Sequence, residues 1–398
     1  MSFPIHCGHF TEIETDSIIL HFNLNGEIIR ARGKGMEWTH PHEWLKRRCS
    51  NDWVYYSTGG YTGVFEATGE YYLPNLQYPT NNMLGGDPFA GSEVHRIVNQ
   101  WYTILSEISS NLTDLPEPIH AFLQNSLTNS PEVLARKARN LFSYIDGRVS
   151  VLPPDARHVD YNLIPLTVAK GCLYKCKFCR VKNSTPFTTK SKSEIDTQLS
   201  QLKEHFNNDL QNYNAVYLGD HDGLMANPDL LHYSIEESYN IFGFKESFLE
   251  GNFIFMFGSV TSLQNCSEQF FLKLDKLPGL KYINIGLESA DQETLDLLGK
   301  PLTAAQIKDT FLLVQDINEK HSNIEVTVNF VHGDGLPEKH YPSMLELIRD
   351  TQHHVKPKGT VYLSPLKFGA PSRKRLFEFN RLKVLSRFPT YLYIIQRL

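Results

Sequence analysis

The chain has 398 residues, of which 41% are hydrophobic and 21% are charged, and its formal net charge is −5. This length gives room for two or three structural units, and the composition excludes a largely disordered protein. So small a charge does not predict binding of nucleic acid or anionic membranes by the whole surface. The first residues lack a basic segment followed by an apolar run, and no segment approaches a membrane span, so we expect a cytoplasmic protein.

Residues 1–150 predict a mixed α+β unit. Asn25-Gly26 lies between two strand-like runs and favours a two-residue hairpin turn. The stretches 55–78 and 84–88 are rich in glycine or aromatic residues and are either a substrate lid or turns between packed strands. The predicted strands are 17–24, 27–31, 52–56 and 61–66, and the predicted helices are 92–108 and 131–144.

The first third of the chain holds a group of potential metal ligands, His6, Cys7, His9, His40 and His42. None of their spacings is typical of a metal site. Ordinary surface or core histidines are therefore favoured over a second metal centre.

From residue 151 onwards, strand-like and helix-like segments alternate. Such alternation predicts a parallel sheet with right-handed crossovers, and therefore an α/β fold. Six strands are fewer than the eight of a closed barrel, so we expect an open one. The predicted strands are 162–168, 215–218, 253–257, 282–286, 325–331 and 360–366, and the clearest helices are 193–206 and 303–317.

Three of the six cysteines, Cys172, Cys176 and Cys179, form a C-x3-C-x2-C motif directly after the first strand of this part. Three thiolates on one tight loop can hold three irons of a cubane cluster and leave the fourth iron open. A structural zinc ion is the alternative, but zinc favours four ligands and the loop contains no fourth cysteine or histidine. The other cysteines are scattered, which fits a reducing compartment and leaves too few thiols for a second all-cysteine cluster.

The motif resembles the cluster loop of the radical S-adenosylmethionine (SAM) superfamily. Phe178 matches the aromatic residue that the family places before the third cysteine, near the adenine of SAM. The resemblance implies a 4Fe-4S cluster with SAM at its open iron. It also implies a partial (β/α)6 TIM-like barrel of radical SAM type with an N-terminal α+β extension. The expected division is 1–150 for that extension, 151–368 for the radical SAM core and 369–398 for a basic C-terminal tail.

The resemblance also implies which other residues contact the cofactor. Gly219 and Asp220 occupy the place of the family's glycine-glycine-glutamate segment, although the acid is an aspartate here. Glu288 and Ser289 match a segment whose acid or amide binds the ribose or the methionine part of SAM, and Asn329 is a further candidate. The alternatives are a turn with a helix cap at Asp220, a surface acid at Glu288 and a helix cap at Ser289.

The resemblance implies an enzyme that cleaves SAM reductively and abstracts a hydrogen atom from a substrate that the sequence does not identify. An electron donor such as flavodoxin or ferredoxin is the expected protein partner, and no catalytic side chain is assigned. One alternative is a non-catalytic iron-sulfur protein. Another is an RNA-modifying enzyme, because the tail carries Arg373, Lys374 and Arg375 among aromatic residues. A solvated basic helix closing the open side of the barrel is the more common reading of that tail.

Overall fold

The computed structural model describes most of the chain. The described residues are 8–38, 43–57, 73–76, 87–112, 115–179, 186–351, 358–366, 373–393 and 397–398. None of the helices in these ranges combines the length and the apolar content that a bilayer crossing needs. The predicted strand 61–66, most of the stretch 55–78 and residues 84–86 of the stretch 84–88 lie outside the described residues.

The N-terminal part is an antiparallel sheet packed against helices, which confirms the predicted α+β extension. Its strands follow one another in chain order from β1 to β6. The strands are β1 Thr11–Glu14, β2 Ile18–Phe22, β3 Ile28–Gly33, β4 Glu43–Arg47, β5 Trp53–Ser57 and β6 Leu73–Leu76. The helices are α1 Ser92–Asn111, α2 Glu117–Leu127 and α3 Pro131–Tyr144.

The turn between β2 and β3 differs from the prediction. The amide of Asn23 donates to the carbonyl of Glu27 at 2.9 Å, so the loop comprises the three residues 24–26 rather than two. Only Gly26 has a positive φ, +73°. A two-residue type I′ turn would need two such residues, whereas a three-residue loop needs one glycine at its end. The predicted two-residue turn is therefore wrong.

The larger sheet is parallel and open, and its strand order is β15-β14-β13-β12-β11-β10-β7. All six predicted strands are present, and β15 is a seventh strand that the sequence analysis did not predict. The strands are β7 Ile164–Thr167, β10 Ala215–Gly219, β11 Phe253–Gly258, β12 Leu280–Glu288, β13 Ile324–His332, β14 Val361–Pro365 and β15 Thr390–Leu392. A short antiparallel pair joins β8 Ala169–Lys170 to β9 Thr188–Thr189.

Helices connect the strands of this sheet, as the alternation predicts. The helices are α4 Lys192–Phe206, α5 Pro228–Ile241, α6 Val260–Asn265, α7 Glu268–Lys276, α8 Gln292–Leu298, α9 Ala304–Lys320, α10 His340–Leu345 and α11 Arg373–Leu385. The predicted helices 193–206 and 303–317 correspond to α4 and α9.

The two faces of the parallel sheet carry different side chains. Successive residues of a strand point to opposite faces, so Val216 and Leu218 join the core beneath the helices while Tyr217 faces the inside of the barrel. On the inner face, a short 3-10 segment, Pro154–Val159, packs against Tyr217 and its neighbours on β11 and β12. The barrel interior is thus filled by the chain's own linker at the level of Tyr217.

Asp155 anchors this linker inside the barrel. It is fully buried, and its carboxylate accepts hydrogen bonds from Thr327 Oγ1 at 2.7 Å and from the Tyr362 hydroxyl at 2.8 Å. Burial raises its pKa from 3.8 to about 7, and these two hydrogen bonds only partly oppose that rise. Asp155 therefore joins the linker to β13 and β14 as a carboxyl group that holds its proton near neutrality.

Raising the pH from 6 to 8 should lower the stability of the protein through Asp155. A raised folded-state pKa contributes stability that is fully present below the unfolded pKa and is lost as the pH rises through about 7. Between pH 6 and 8 this loss is about 1 kcal/mol. Chemical denaturation of Asp155→Asn should lack this component of the pH dependence. An unchanged pH dependence in the variant would contradict the assignment.

The N-terminal sheet contacts the parallel-sheet part through side chains of its first hairpin. Asn23 Nδ2 donates to Asp209 Oδ2 at 3.1 Å, and Asn25 Nδ2 donates to the carbonyl of Phe206 at 2.8 Å. Such contacts do not establish where one unit ends and the next begins. The division of the chain at residues 150 and 368 stays a prediction.

Candidate functional site

The three cysteines lie on a loop, residues 171–179, that follows β7 at the carboxyl edge of the parallel sheet. Along this cysteine loop, inward-facing and exposed residues alternate. The residues that are buried or half-buried are Cys172, Tyr174, Cys176 and Phe178, together with Cys179 at the end. The exposed residues are Leu173, Lys175 and Lys177. The loop therefore has an inner face that carries the thiols and an outer face that carries an apolar residue and two lysines.

The thiols of the cysteine loop lie within electrostatic reach of one another. The pKa of Cys176 is raised to about 11, chiefly by burial, and Cys172 and Cys179 contribute to this rise. Burial likewise raises the pKa of Cys172, while the nearby Lys300 lowers the pKa of both thiols. In the described residues, no three His, Cys, Asp or Glu side chains converge on one point that would suit a single metal ion. A cubane needs no such point, because each thiolate binds a different iron.

Asp220 lies directly beyond β10 and contacts the start of the cysteine loop. Its Oδ2 accepts from the amide of Gly171 at 3.4 Å, and its Oδ1 is 3.0 Å from His221 Nε2. Gly219 precedes it because a Cβ there would lie 2.4 Å from the Tyr217 hydroxyl, which itself donates to the carbonyl of Asp220. The structure thus brings the predicted Gly219 and Asp220 to the loop that carries the thiols.

Tyr174 links the cysteine loop to the segment after β11. Its hydroxyl is 2.6 Å from Thr261 Oγ1 and accepts from the Thr261 amide at 3.0 Å. Ser259, in the same segment, caps the start of α6, because its hydroxyl accepts a hydrogen bond from the Ser262 amide at 3.0 Å. The Thr261 hydroxyl thus joins this segment to the cysteine loop, whereas the Ser259 hydroxyl contacts Ser262 within the segment.

Glu288 ends β12 in a strained conformation. Its φ is +68°, which is uncommon for a residue other than glycine, asparagine or aspartate. The side chain is buried, and Oε1 lies 3.4 Å from the ammonium group of Lys300. Burial raises the pKa of Glu288, and Lys300 partly opposes this. A Cβ at residue 286 would lie 2.4 Å from that carboxylate oxygen, so Gly286 makes room for it.

Lys300 is one of two functional candidates that the sequence analysis missed. Its side chain is 6% exposed, and its ammonium group donates to the carbonyl of Gly286 and lies 5.5 Å from the centre of the Tyr174 ring. In the sequence it follows Gly299, which ends α8 with φ +63°, and it precedes Pro301. A lysine in that setting resembles an ordinary helix-end cation, so no local signal shows that it turns towards the thiols.

Asp222 is a second buried acid near the thiols that was not predicted. It is 1% exposed, its Oδ1 accepts from the Ser259 amide at 3.1 Å, and its Oδ2 has no hydrogen-bond partner in the described residues. Burial raises its pKa, while its charge raises the pKa of Cys172. The unpartnered oxygen is an acceptor that a donor group of a bound ligand would satisfy.

The other two predicted contacts, Ser289 and Asn329, already have protein partners. Ser289 Oγ is fully buried, lies 2.8 Å from His340 Nδ1 and accepts from the amide of Asp291. Asn329 donates through Nδ2 to Asn284 Oδ1 at 2.6 Å and accepts from Asn284 Nδ2 at 3.1 Å. The helix cap of α8 is Asp291 rather than Ser289. Contact of either predicted residue with a cofactor stays a prediction.

Of the N-terminal group of potential metal ligands, only His9 lies within the described residues. Its ring stacks on Phe248 with centroids 3.8 Å apart. His6, Cys7, His40 and His42 are outside the described part of the chain. The preference for ordinary histidines over a second metal stays a prediction.

Residues 166–348 match the family model described as the Radical SAM superfamily. This part of the chain belongs to the radical SAM superfamily. The match begins within β7 and covers the cysteine loop and the strands from β10 to β13, so it includes the candidate site residues described above. Members of this superfamily are enzymes, and the match implies a 4Fe-4S cluster and SAM as cofactors. The open parallel sheet agrees with the fold that the sequence analysis expected for this superfamily.

Solved structures of radical SAM proteins resemble the chain only distantly. The cobalamin-dependent SAM radical enzyme OxsB with aqua-cobalamin bound shares 18% identity, over 46% of this chain and 26% of that one, with a TM-score of 0.35. A radical SAM methyltransferase from Sphaerobacter thermophilus shares 15%, over 57% and 64%, with a TM-score of 0.37. Methylornithine synthase (PylB) shares 14%, over 71% and 77%, also with a TM-score of 0.37.

These TM-scores are too low to carry a functional argument. The chain spans about a quarter of OxsB and less than two thirds of the methyltransferase. No curated protein matches the chain.

Proposed function

We propose that Cys172, Cys176 and Cys179 hold the 4Fe-4S cluster and that the enzyme cleaves SAM to abstract a hydrogen atom from its substrate. The observation that carries this proposal is the inner face of the cysteine loop. There, thiols that perturb one another's pKa lie beside the buried ammonium group of Lys300. When bound, the cluster supplies the single electron that divides SAM into methionine and a 5′-deoxyadenosyl radical.

The thiols suit this group chemically. Iron-sulfur clusters bind thiolates, whereas burial raises the pKa of Cys172 and Cys176 further above neutral pH, so both thiols are protonated before a cluster binds. Loading therefore requires these thiols to give up their protons, and a nearby cation favours that change. Lys300 is placed to stabilise the resulting negative charge.

We propose that the charged groups around the thiols orient SAM. The amino acid part of SAM carries a carboxylate and an ammonium group, and its ribose carries two hydroxyl donors. Lys300 offers a cation for the carboxylate, while Asp220, Asp222 and Glu288 offer acceptors for the ammonium group and the hydroxyls. Phe178 lies half-buried on the inner face and offers a ring for the adenine.

Gly219, Ser289 and Asn329 are proposed to complete the cofactor site. Gly219 lets the chain turn closely beside Asp220, while Ser289 and Asn329 lie buried at or near the carboxyl ends of β12 and β13. Their side chains hold His340 and Asn284, so each has limited capacity for a further hydrogen bond. Their contribution is therefore expected to be smaller than that of Glu288.

We also propose a class of substrate and a branch of the superfamily. The described strands between residues 11 and 76 pair antiparallel, whereas a nucleotide-like cobalamin domain would alternate strands with helices. This pairing favours direct hydrogen abstraction over cobalamin-dependent chemistry. For the RNA-modifying alternative, the side chains of Arg373, Lys374 and Arg375 lie outside the described residues. We propose a small-molecule substrate and a flavodoxin- or ferredoxin-like electron donor.

Anaerobic reconstitution tests the proposal directly. Protein loaded with iron and sulfide should bind about four irons per chain, and SAM should then change the electron paramagnetic resonance spectrum of the reduced cluster. With dithionite and SAM, the protein should release 5′-deoxyadenosine. A sample without SAM is the control. A loaded cluster that never cleaves SAM would contradict the enzymatic proposal, and a colourless, iron-poor protein would contradict the cluster itself.

A further inference from the structure

A cavity of about 110 Å³ lies between the N-terminal sheet and the amino edge of the parallel sheet. Arg30 and Lys46, on β3 and β4, line one side of it, and Asp209 and Tyr213, which precede β10, line the other. We call this space the interface cavity. Asp220 lies at the opposite end of β10, whose five residues span roughly 16 Å, so the interface cavity is separate from the candidate cofactor site. The lining also contains the charged residues Glu27, Arg47, Arg48, Lys137 and Arg397.

Lys46 brings positive charge to the interface cavity. Its side chain is buried, and Nζ donates to the carbonyl of Asp160 at 2.7 Å and lies 3.5 Å from the carboxylate of the same residue. That carboxylate also lies 3.4 Å from Arg30 Nη2, so two buried cations share it. An ammonium group has three donors, and Lys46 uses two of them within the described residues. A ligand carboxylate would accept from the third donor and reduce the cost of burying this charge.

Other cations of the lining contact different acids. Arg47 Nη2 and Lys137 Nζ lie 3.1 Å and 2.6 Å from the carboxylate of Glu27, and Arg48 pairs with Asp52. Neither of these acids lies within ion-pair distance of Lys46. Within the part of the chain that the structure describes, the carboxylate partner of Lys46 is therefore the shared one of Asp160.

Asp209 on the opposite side of the interface cavity is a buried acid that lacks a cationic partner in the described ranges. Its carboxylate accepts hydrogen bonds from Asn212 Nδ2 at 2.6 Å, from Asn23 Nδ2 at 3.1 Å and from the amide of Leu24 at 3.4 Å. All three donors are uncharged. Burial raises the pKa of Asp209 to about 6, and these hydrogen bonds oppose that rise only in part. An ammonium group of a ligand would supply the positive charge that this carboxylate lacks.

The hairpin that contacts Asp209 also presents an unsatisfied acceptor. Asn25 Oδ1 is buried and accepts no hydrogen bond from the described residues, whereas Nδ2 of the same amide donates to the carbonyl of Phe206 at 2.8 Å. That contact fixes the orientation of the amide, because a carbonyl oxygen only accepts. Asn25 belongs to the lining of the interface cavity. A buried acceptor without a donor costs free energy, so this oxygen indicates a ligand with N–H or O–H groups.

Cys49 lies within electrostatic reach of both sides of the interface cavity. Burial raises the pKa of its thiol, and the charges of Glu27 and Asp209 act in the same direction. Burial lowers the pKa of Lys46, and Cys49 acts against this change. The thiol also lies 3.7 Å from the Tyr213 hydroxyl. The cationic and the acidic side are therefore close enough for one small ligand to contact both.

We propose that the interface cavity binds a compact α-amino acid, with its carboxylate beside Lys46 and its ammonium group between Asp209 and Asn25 Oδ1. The zwitterion brings one charge of each sign, so it compensates both sides and leaves the net charge of the cavity unchanged. A simple anion would leave Asp209 without a cation, and a simple cation would leave the third donor of Lys46 unused. A cavity of about 150 Å³ holds benzene, so the smaller interface cavity suits glycine, alanine or serine.

Calorimetric titration of the full chain with glycine, L-alanine and L-serine tests this site. SAM is present at saturation, so that no probe can take its place at the cofactor site. At least one probe should bind once per chain with a Kd of about 1 mM or tighter, and it should raise Tm because only the folded protein contains the cavity. Asp209→Asn should weaken this binding about tenfold or more, since it removes the negative charge beside the ammonium group. The matched control, Asp309→Asn, makes the same change on the exposed surface of α9 and should bind the probe as wild type does.

Ligand analogues test the same site on wild-type protein, so the result does not depend on whether Asp209→Asn folds. Propionate lacks the ammonium group and ethylamine lacks the carboxylate, so each should bind about tenfold more weakly than the amino acid or not at all. The proposal is overturned if none of the three amino acids binds, or if Asp209→Asn and its control bind equally well. Propionate or inorganic phosphate that binds as tightly as the amino acid also overturns it, because the cavity would then be a simple anion site.

Discussion

Cys176→Ala is expected to abolish the iron-sulfur cluster and, with it, formation of 5′-deoxyadenosine. Cys176 is the most buried of the three loop thiols, and both of the others perturb its pKa. Without it, only two thiolates remain for three irons, so the cluster loses a ligand that water replaces poorly. We expect iron content after anaerobic reconstitution to fall to about one tenth of the wild-type value or less. Iron and sulfide assays and the visible absorption spectrum measure this.

The same result is expected for Cys172→Ala and Cys179→Ala. Cys266→Ala is the matched control, because Cys266 is half-buried and its thiol donates to the carbonyl of Ser262 at 3.3 Å. That variant should keep the cluster and SAM cleavage. If a loop variant retained a full cluster, the assignment of its thiol as a ligand would be wrong.

Lys300→Met is expected to have the second largest effect, on both stability and SAM binding. It removes the cationic partner of Glu288, whose carboxylate is buried and 3.4 Å away. Breaking a buried ion pair by removing one member costs about 3–5 kcal/mol, because the other charge is left uncompensated. Glu288→Gln should destabilise the protein for the converse reason. Denaturant unfolding measures both effects.

The double variant Glu288→Gln/Lys300→Met separates a structural role from a functional one. Replacing both charges removes the uncompensated group, so most of the lost stability should return. SAM affinity, measured by equilibrium binding to reconstituted protein, should stay about tenfold or more below that of wild type. A double variant that regains both stability and wild-type SAM affinity would show that the ion pair only supports the fold. It would remove Glu288 and Lys300 from the proposed SAM site.

The strands of the parallel sheet could be predicted because their information is local. β10 to β13 are short apolar runs between helical patterns, and each predicted strand agrees with the structure to within about two residues at either end. β15 was missed because three residues after Pro389 give no periodicity to read. Its strand character comes from pairing with β14, and this partner is not visible in its own sequence.

The candidate site was predictable where the residues that carry the chemistry form a sequence motif. Three cysteines at a spacing typical of cluster ligands can be recognised from the sequence alone, and so can the acid that follows β10. Lys300 and Asp222 could not be recognised from the sequence, because they become site candidates through burial beside the thiols rather than through a motif. The positive φ of Glu288 also could not be predicted from the sequence, since glutamate has no preference for that conformation.

The left-handed backbone at Glu288 implies that selection for stability and selection for activity would favour different residues at this position. Glycine adopts such a φ without the strain that a side chain brings, so a library that varies residues 288 and 300 together and is screened for heat resistance should enrich Glu288→Gly paired with an uncharged residue in place of Lys300. A library screened for turnover should discard that change, because it deletes the carboxylate. If the two libraries enrich different residues at position 288, glutamate is kept there for its chemistry although it strains the backbone.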